Sequence, residues 1–164
     1  LLTACKKFSS KKNEEIFLII AGEGKTSYVN YLRDYIKSLG LQEVVEMIGW
    51  VNEAEKGELF SKVNITVLPS YSENFGIVIA ESLAHGVPVI ASTGTPWQEV
   101  EAVGCGLWVE NDPATLANAI SFMMEQPLLS MGQRGRMWIK DRYSWPVVAE
   151  EMGRLYASLL EGKK

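Results

Sequence analysis

Short apolar segments alternate with segments of helical periodicity along most of this sequence, and this alternation constrains the fold more than any other feature. The apolar segments predict buried β-strands at residues 16–21, 44–48, 65–68, 87–91 and 107–109. The remaining periodic segments predict helices at 28–39, 53–61, 76–84, 113–125, 128–141 and 144–160. Because strands that alternate with helices form βαβ units, we predict one α/β domain over residues 1–164, a doubly wound parallel sheet flanked by helices.

The charge balance and the cysteines exclude several classes of protein. The chain has 16 Lys and Arg against 20 Asp and Glu, a formal net charge of −4, which argues against nucleic acid as a partner. There is no apolar run near the ~20 residues of a membrane span and no signal-peptide pattern, so we expect a cytoplasmic protein. Cys5 and Cys105 are far apart and form no CxxC pair, which indicates neither a disulfide framework nor a zinc site.

Ligands of open parallel sheets bind at the carboxyl ends of the strands, and the first strand ends in a glycine-containing turn, residues 21–27. The run Gly24-Lys25-Thr26 suggests a phosphate-binding loop, but that motif needs a glycine at position 19, where this chain has Ile19. Two interpretations therefore stay open: a tight strand-to-helix turn, or a turn where the backbone approaches a ligand.

The third strand ends in a polar loop, and a helix begins near Phe75 or Gly76. The free N–H groups at a helix start form an anion site, and two carboxylates, Glu73 and Glu81, flank this one. The helical part between them spans roughly 9 Å, too far for a retaining-glycosidase pair at ~5 Å. The spacing fits the two ends of an elongated ligand with an anionic centre; the alternative is two solvated carboxylates.

Two residues that invite functional interpretations are predicted to be structural. Trp97 follows the fourth strand, in a segment open to ligand contacts or to a plain turn, and packing is favoured over a sugar platform. His85 is the only histidine, but it lies at the far end of the helix from the anion site.

The segment from Ser72 to Gly76, continued by Ala80 to Ser92, resembles the Glu-x7-Glu signature of the family 4 retaining glycosyltransferases of GT-B fold (glycosyl transferases group 1). Flanking segments occur in the order that this family shows, and the resemblance covers nearly the whole chain. These segments are 21–24, 49–51, 68–70, 94–99 and 143–145.

The resemblance implies that the chain is the C-terminal, Rossmann-like half of a GT-B enzyme, which binds the nucleotide-sugar donor. Glu81 then matches the carboxylate on the ribose hydroxyls. Glu73 matches the one that faces the donor sugar near its reacting carbon, the candidate catalytic residue. Further donor-binding positions implied are Gly22, Trp50, Val51, Asn74, Phe75, Gly76, Ile77 and Val78, with Trp50 and Val51 beside the base. The family implies no metal and no cofactor besides the donor.

The resemblance also implies a complete reaction in which a hexose passes from a nucleoside diphosphate to a polysaccharide or glycolipid acceptor. The N-terminal acceptor domain and the basic residues that hold the diphosphate would precede position 1, so we expect the isolated chain to be inactive. A membrane-associated acceptor would be reached through that missing half, at the inner face of the membrane. The final helix would then expose part of an apolar face, formed by Val147, Val148, Met152, Leu155, Tyr156 and Leu159. Two alternatives stay open: half of a nucleotide-sugar epimerase and a non-catalytic nucleotide-binding module.

Overall fold

The computed structural model describes residues 1–11 and 16–161 and contains the predicted alternation of strands and helices. The strands are β1 (Leu18–Ala21), β2 (Val45–Gly49), β3 (Thr66–Leu68), β4 (Val89–Ser92) and β5 (Gly106–Val109). The helices are α1 (Leu2–Lys11), α2 (Thr26–Ser38), α3 (Glu53–Lys62), α4 (Ile77–Ala84), α5 (Glu99–Val103), α6 (Pro113–Met124), α7 (Leu128–Tyr143) and α8 (Trp145–Glu161).

All strand pairs in the described part of the chain are parallel, as predicted. Their hydrogen bonds form two groups, β1 with β2 and β3–β4–β5 in that order. Parallel neighbours place their carboxyl ends at one edge, so the loops after β3, β4 and β5 meet there.

Helices cover both faces of the three-stranded group, and β4 shows why. Successive side chains of a strand point to opposite faces. Ile90 therefore packs in a cluster with Ala4 of α1 and Leu116 of α6, whereas Val89 packs with Leu83 of α4 and Ile139 of α7. A third cluster joins α1 and α2 to β1 and β2. The predicted α/β class, with helices on both faces of parallel strands, is confirmed.

Two helix starts follow from local side-chain chemistry. Asn52 and Glu55 form a capping box on α3, each side chain bonding the other's backbone N–H, at 3.0 and 2.7 Å. Asp112 caps α6 by accepting from the N–H groups of Ala114 and Thr115, as its position before Pro113 predicts. A hydrogen bond from the Thr115 side chain, together with these two backbone bonds, lowers the pKa of Asp112.

The last helix exposes the predicted apolar face. Val147 and Val148 are half-buried, and Met152, Leu155, Tyr156 and Leu159 are exposed. Within residues 1–11 and 16–161, no helix combines the length and the apolar composition that crossing a bilayer requires.

We predict that both cysteines are chemically inert in the folded chain. Cys5 and Cys105 are buried, and burial raises the pKa of the Cys105 thiol to about 11. At pH 8 its thiolate fraction is then only about 10⁻³. A disulfide-exchange reagent should label neither thiol within minutes at pH 8 and both in denaturant. Rapid labelling of the native chain would show that a cysteine is accessible.

Candidate functional site

The start of α4 lacks a side-chain cap. Gly76 precedes the helix with φ +74° and ψ 60°, a left-handed conformation that glycine adopts without a steric cost. A Cβ there would lie 3.0 Å from the Leu68 Cδ2 atom, so the position favours glycine twice over. The first N–H groups of a helix have no partner within it. The backbone N–H groups of Ile77 and Val78 therefore face the loop, and Gly76 has no side chain that could accept a hydrogen bond from them.

Glu73 is exposed in the loop before α4, and two contacts hold it. Its Oε1 atom accepts a hydrogen bond from the Ser70 hydroxyl at 2.9 Å, and its N–H donates to the Gly94 carbonyl at 3.0 Å. Ser92 Oγ also donates to the Ser70 carbonyl. The loop after β4 thus supports the loop after β3 through hydrogen bonds. The sequence motifs did not predict this contact between the two loops.

Trp97 anchors the other end of this loop. Its indole N–H donates to the Phe75 carbonyl, and the two rings lie 5.0 Å apart. Trp97 is 1% exposed and contacts the rings of Trp138 and Tyr143, which confirms the predicted packing role. Phe75 itself remains 41% exposed. The backbone at Phe75 is therefore fixed to the core while one side of its ring faces solvent.

Glu81 lies in α4 and pairs with a cation from another helix. Lys56 Nζ of α3 is 2.8 Å from Glu81 Oε1 and 2.8 Å from Glu53 Oε1. These two hydrogen bonds raise the pKa of Lys56 to about 12. The lysine thus stays charged beside Glu81 across the physiological range. Lys56 lies 25 residues before Glu81, outside the sequence motif that contains Glu81, so the sequence did not predict this pair.

His85 contacts only structural groups among those the structure describes. Its Nδ1 atom lies 2.8 Å from the carbonyl oxygen of Glu81, one turn back in α4. Its ring stacks on buried Phe60 of α3 at 4.9 Å. These contacts support the structural interpretation and tie α3 to the end of α4.

The remaining predicted residues divide between two places. The Gly22 N–H donates to the Gly49 carbonyl at 2.7 Å, so the ends of β1 and β2 meet. Trp50 follows there, 64% exposed, with Val51 half-buried. Asn74 and Ile77 are exposed and Val78 is half-buried at the start of α4.

An open pocket of about 570 Å³ lies at the carboxyl ends of β3, β4 and β5. Its lining residues are Ser70, Tyr71, Thr93, Gly94, Glu110, Asn111 and Asp112, which include two carboxylates and no basic side chain. Thr93 Oγ1 donates to Glu110 Oε2 at 3.2 Å. Sequence analysis missed Glu110 and Asn111, although the strand-end rule applies to β5 as well as to β3 and β4. Across the described residues, no three His, Cys, Asp or Glu side chains form a potential metal site.

Comparisons with known proteins identify relatives of the whole chain. It is 28% identical over 163 residues to an O-antigen biosynthesis glycosyltransferase, WclY of Escherichia coli, covering 96% of this chain and 45% of that protein. The chain spans less than half the length of the curated relatives it matches first.

Solved structures share the fold. Sucrose-phosphate synthase from Thermosynechococcus elongatus superposes with a TM-score of 0.83 at 26% identity, covering 98% of this chain and 42% of that one. HepE of Anabaena, solved in complex with UDP-glucose, gives a TM-score of 0.80 at 21% identity, covering 94% of this chain and 44% of that one. These neighbours are GT-B glycosyltransferases.

The family described as "Glycosyl transferases group 1" matches residues 1–143, which contain the α4 start, Glu73, Glu81 and every loop that supports them. The match extends over all five strands and stops at the end of α7, before the exposed face of α8 begins. On this evidence, the chain belongs to the glycosyl transferases group 1 family.

Proposed function

We propose that this chain holds the nucleoside-diphosphate sugar donor of a retaining glycosyltransferase. The observation that carries the proposal is the uncapped start of α4, which lies in the sequence between Glu73 and Glu81. The N–H groups of Ile77 and Val78, together with the helix dipole, suit a diphosphate. The complex of HepE with UDP-glucose supports this class of ligand, because HepE shares the fold.

The carboxylates are assigned to the two ends of the donor. Glu81 accepts hydrogen bonds from the two ribose hydroxyls, because one carboxylate can accept from a vicinal diol. Trp50 and Val51 lie beside the base, and Gly22 lies at the neighbouring strand end, where its hydrogen bond to Gly49 joins the two loops.

The residues before α4 are assigned to the reacting end. Glu73 faces the sugar near its anomeric carbon, and the backbone of Asn74, Phe75 and Gly76 contacts the sugar and the diphosphate. The bond between the anomeric carbon and the diphosphate oxygen breaks, and negative charge develops on the leaving group. The N–H groups of α4 stabilise that charge, so no metal or further cofactor is needed. The oxygen of the acceptor hydroxyl then bonds to the anomeric carbon on the face that the diphosphate leaves, so the configuration is retained, and the hydroxyl proton passes to the departing diphosphate.

We further infer that the acceptor is bound by a second, N-terminal domain of a longer protein, since the curated relatives are more than twice the length of this chain. The O-antigen biosynthesis relative supports a polysaccharide or glycolipid as the acceptor, and we propose a hexose as the sugar that is transferred. The chain alone then binds donor without transferring it. The complete protein would work in the cytoplasm, on an acceptor at the inner face of the membrane.

Nucleotide titrations of this chain test the proposal. We expect UDP, GDP or ADP to bind, and Glu81→Ala to weaken that affinity about tenfold or more, as expected for loss of a charge-assisted hydrogen bond to ribose. The matched control is Glu58→Ala, which removes an exposed carboxylate of α3. NMR shift changes at Ile77 and Val78 would locate the diphosphate. A wild-type chain that bound none of the nucleotides or their sugar conjugates at millimolar concentration would contradict the proposal.

A further inference from the structure

Lys56 forms a bridge between two helices at one end of the proposed donor site. Its ammonium group bonds Glu53 within α3 and Glu81 across in α4, at 2.8 Å each. The Lys56 and Glu81 side chains are 27% and 24% exposed, whereas Glu53 is 87% exposed. The contact with Glu81 is therefore the sheltered one, and the contact with Glu53 lies at the surface.

Helix α3 holds Lys56 in a fixed place relative to α4. The capping box of Asn52 and Glu55 fixes the first turn of α3, in which Lys56 lies. Phe60, one turn further along, is buried and stacks on the His85 ring at the end of α4. The capping box within α3 and the contact of Phe60 with His85 thus determine where the ammonium group sits.

The hydrogen-bond count leaves Glu81 able to bind a further ligand. Lys56 donates to Oε1 of Glu81, and no protein donor to Oε2 occurs among the described contacts. An ionised carboxylate has about four acceptor sites, so one lysine bond fixes its rotation without exhausting them. A partly exposed ion pair adds little to the stability of a fold. The geometry is thus better suited to orienting Glu81 than to holding the helices together.

We propose that Lys56 is a positioning residue that orients Glu81, so that the free oxygen of the carboxylate accepts from the ribose hydroxyls of the donor. This inference rests on the proposed function, because it assigns a role at the same site.

Helix α3 also connects the base end and the ribose end of the proposed nucleoside site. Helix α3 begins two residues after Val51, so the segment assigned to the base and the lysine that orients the ribose carboxylate belong to one rigid unit.

The test compares a ribonucleotide with its analogue that lacks both ribose hydroxyls. We expect Lys56→Met to weaken binding of UDP about tenfold, the effect of disturbing one charge-assisted hydrogen bond. The same variant should bind 2′,3′-dideoxy-UDP within about twofold of wild type, since Glu81 has no partner on that ligand. If GDP or ADP binds more tightly than UDP, that nucleotide and its dideoxy form replace the uridine pair. Lys56→Arg should recover most of the lost affinity.

Matched variants separate positioning from general charge effects and from misfolding. Lys62→Met removes an exposed lysine of the same helix, 4.0 Å from Glu58, and should leave both affinities unchanged. The melting temperature of Lys56→Met should stay within about 4 °C of wild type. An equal loss for UDP and dideoxy-UDP would overturn the proposal in favour of simple attraction to the diphosphate. Unchanged UDP binding would overturn it outright. A wild-type chain that binds no nucleotide would overturn the proposed function, and this inference with it.

Discussion

Among glycine-to-alanine changes at the described glycines, Gly132→Ala is expected to destabilise the chain most. A Cβ at Gly132, in α7, would lie 1.7 Å from the Gly86 carbonyl oxygen and 2.6 Å from its carbon. Ordinary contact needs about 3.5 Å, and backbone carbonyls cannot rotate away as a side chain does. Helix α7 would therefore have to move away from the end of α4, which would loosen the packing of Ile139 on Leu83.

We expect a loss of about 3 kcal/mol, the upper part of the range for overpacking. For a chain of this size that corresponds to a melting temperature lower by about 6–12 °C. The measurement is thermal and urea unfolding followed by circular dichroism.

Gly153→Ala is the matched control. Gly153 also lies within a helix, α8, but a Cβ there would meet nothing within 4 Å. Alanine is the better helix former at both positions by about 1 kcal/mol. That gain should leave Gly153→Ala as stable as wild type or slightly more so. If both variants melted at the same temperature, the close approach of α7 to Gly86 would not exist in solution.

The fold follows from the sequence because its determinants are local. Continuous apolar runs are typical of buried parallel strands, and the run at 87–91 becomes β4, whose two faces are both covered. The capping side chain of Asp112 fixes the start of α6 to the residue. The first four predicted strands begin one to two residues too early, since apolar character extends beyond the hydrogen-bonded ladder, and the fifth begins one residue too late, because Gly106 is not apolar enough to be counted.

The site could be predicted only where its residues are neighbours in the chain. Glu73 and Glu81 lie on one loop–helix segment, so their spacing and the family resemblance both indicate them. Lys56 could not be found in this way, because the acidic residues around it predict a solvated helix face. Its partnership with Glu81 depends on how α3 packs against α4, which the periodicity of either helix does not determine.

The second large effect is expected at Gly94, in the loop after β4. A Cβ there would lie 2.4 Å from the Tyr71 carbonyl oxygen and 2.6 Å from that of Ser70. Restoring ordinary contact moves the loop of Ser70 to Glu73 by roughly 1 Å. The same movement breaks the 3.0 Å bond from the Glu73 N–H to the Gly94 carbonyl. Gly94→Ala should therefore displace Glu73 while α4 and Glu81 stay in place.

The displacement of Glu73 in Gly94→Ala should affect binding of the sugar more than binding of the nucleotide. If Glu73 faces the sugar, Gly94→Ala should remove the additional affinity that a nucleoside-diphosphate sugar has over the free diphosphate. In an enzyme containing this chain, turnover should fall about 10²-fold, since a misplacement of about 1 Å at the reacting carbon has that effect. Binding of the free nucleotide, which depends on Glu81 and the start of α4, should change by less than about twofold.

Gly153→Ala again supplies the control, because it adds the same methyl group where there is room for it. NMR shifts of Tyr71 and Glu73 should change in Gly94→Ala and not in the control. Equal losses for the sugar conjugate and the free nucleotide would mean that the loop supports the diphosphate rather than the sugar. Unchanged binding of both, with shifted Tyr71 and Glu73 signals, would remove Glu73 from the donor site altogether. The substitution moves the backbone and leaves every side chain of the loop intact. Either result would therefore test where the Glu73 carboxylate lies, because the carboxylate itself is unchanged.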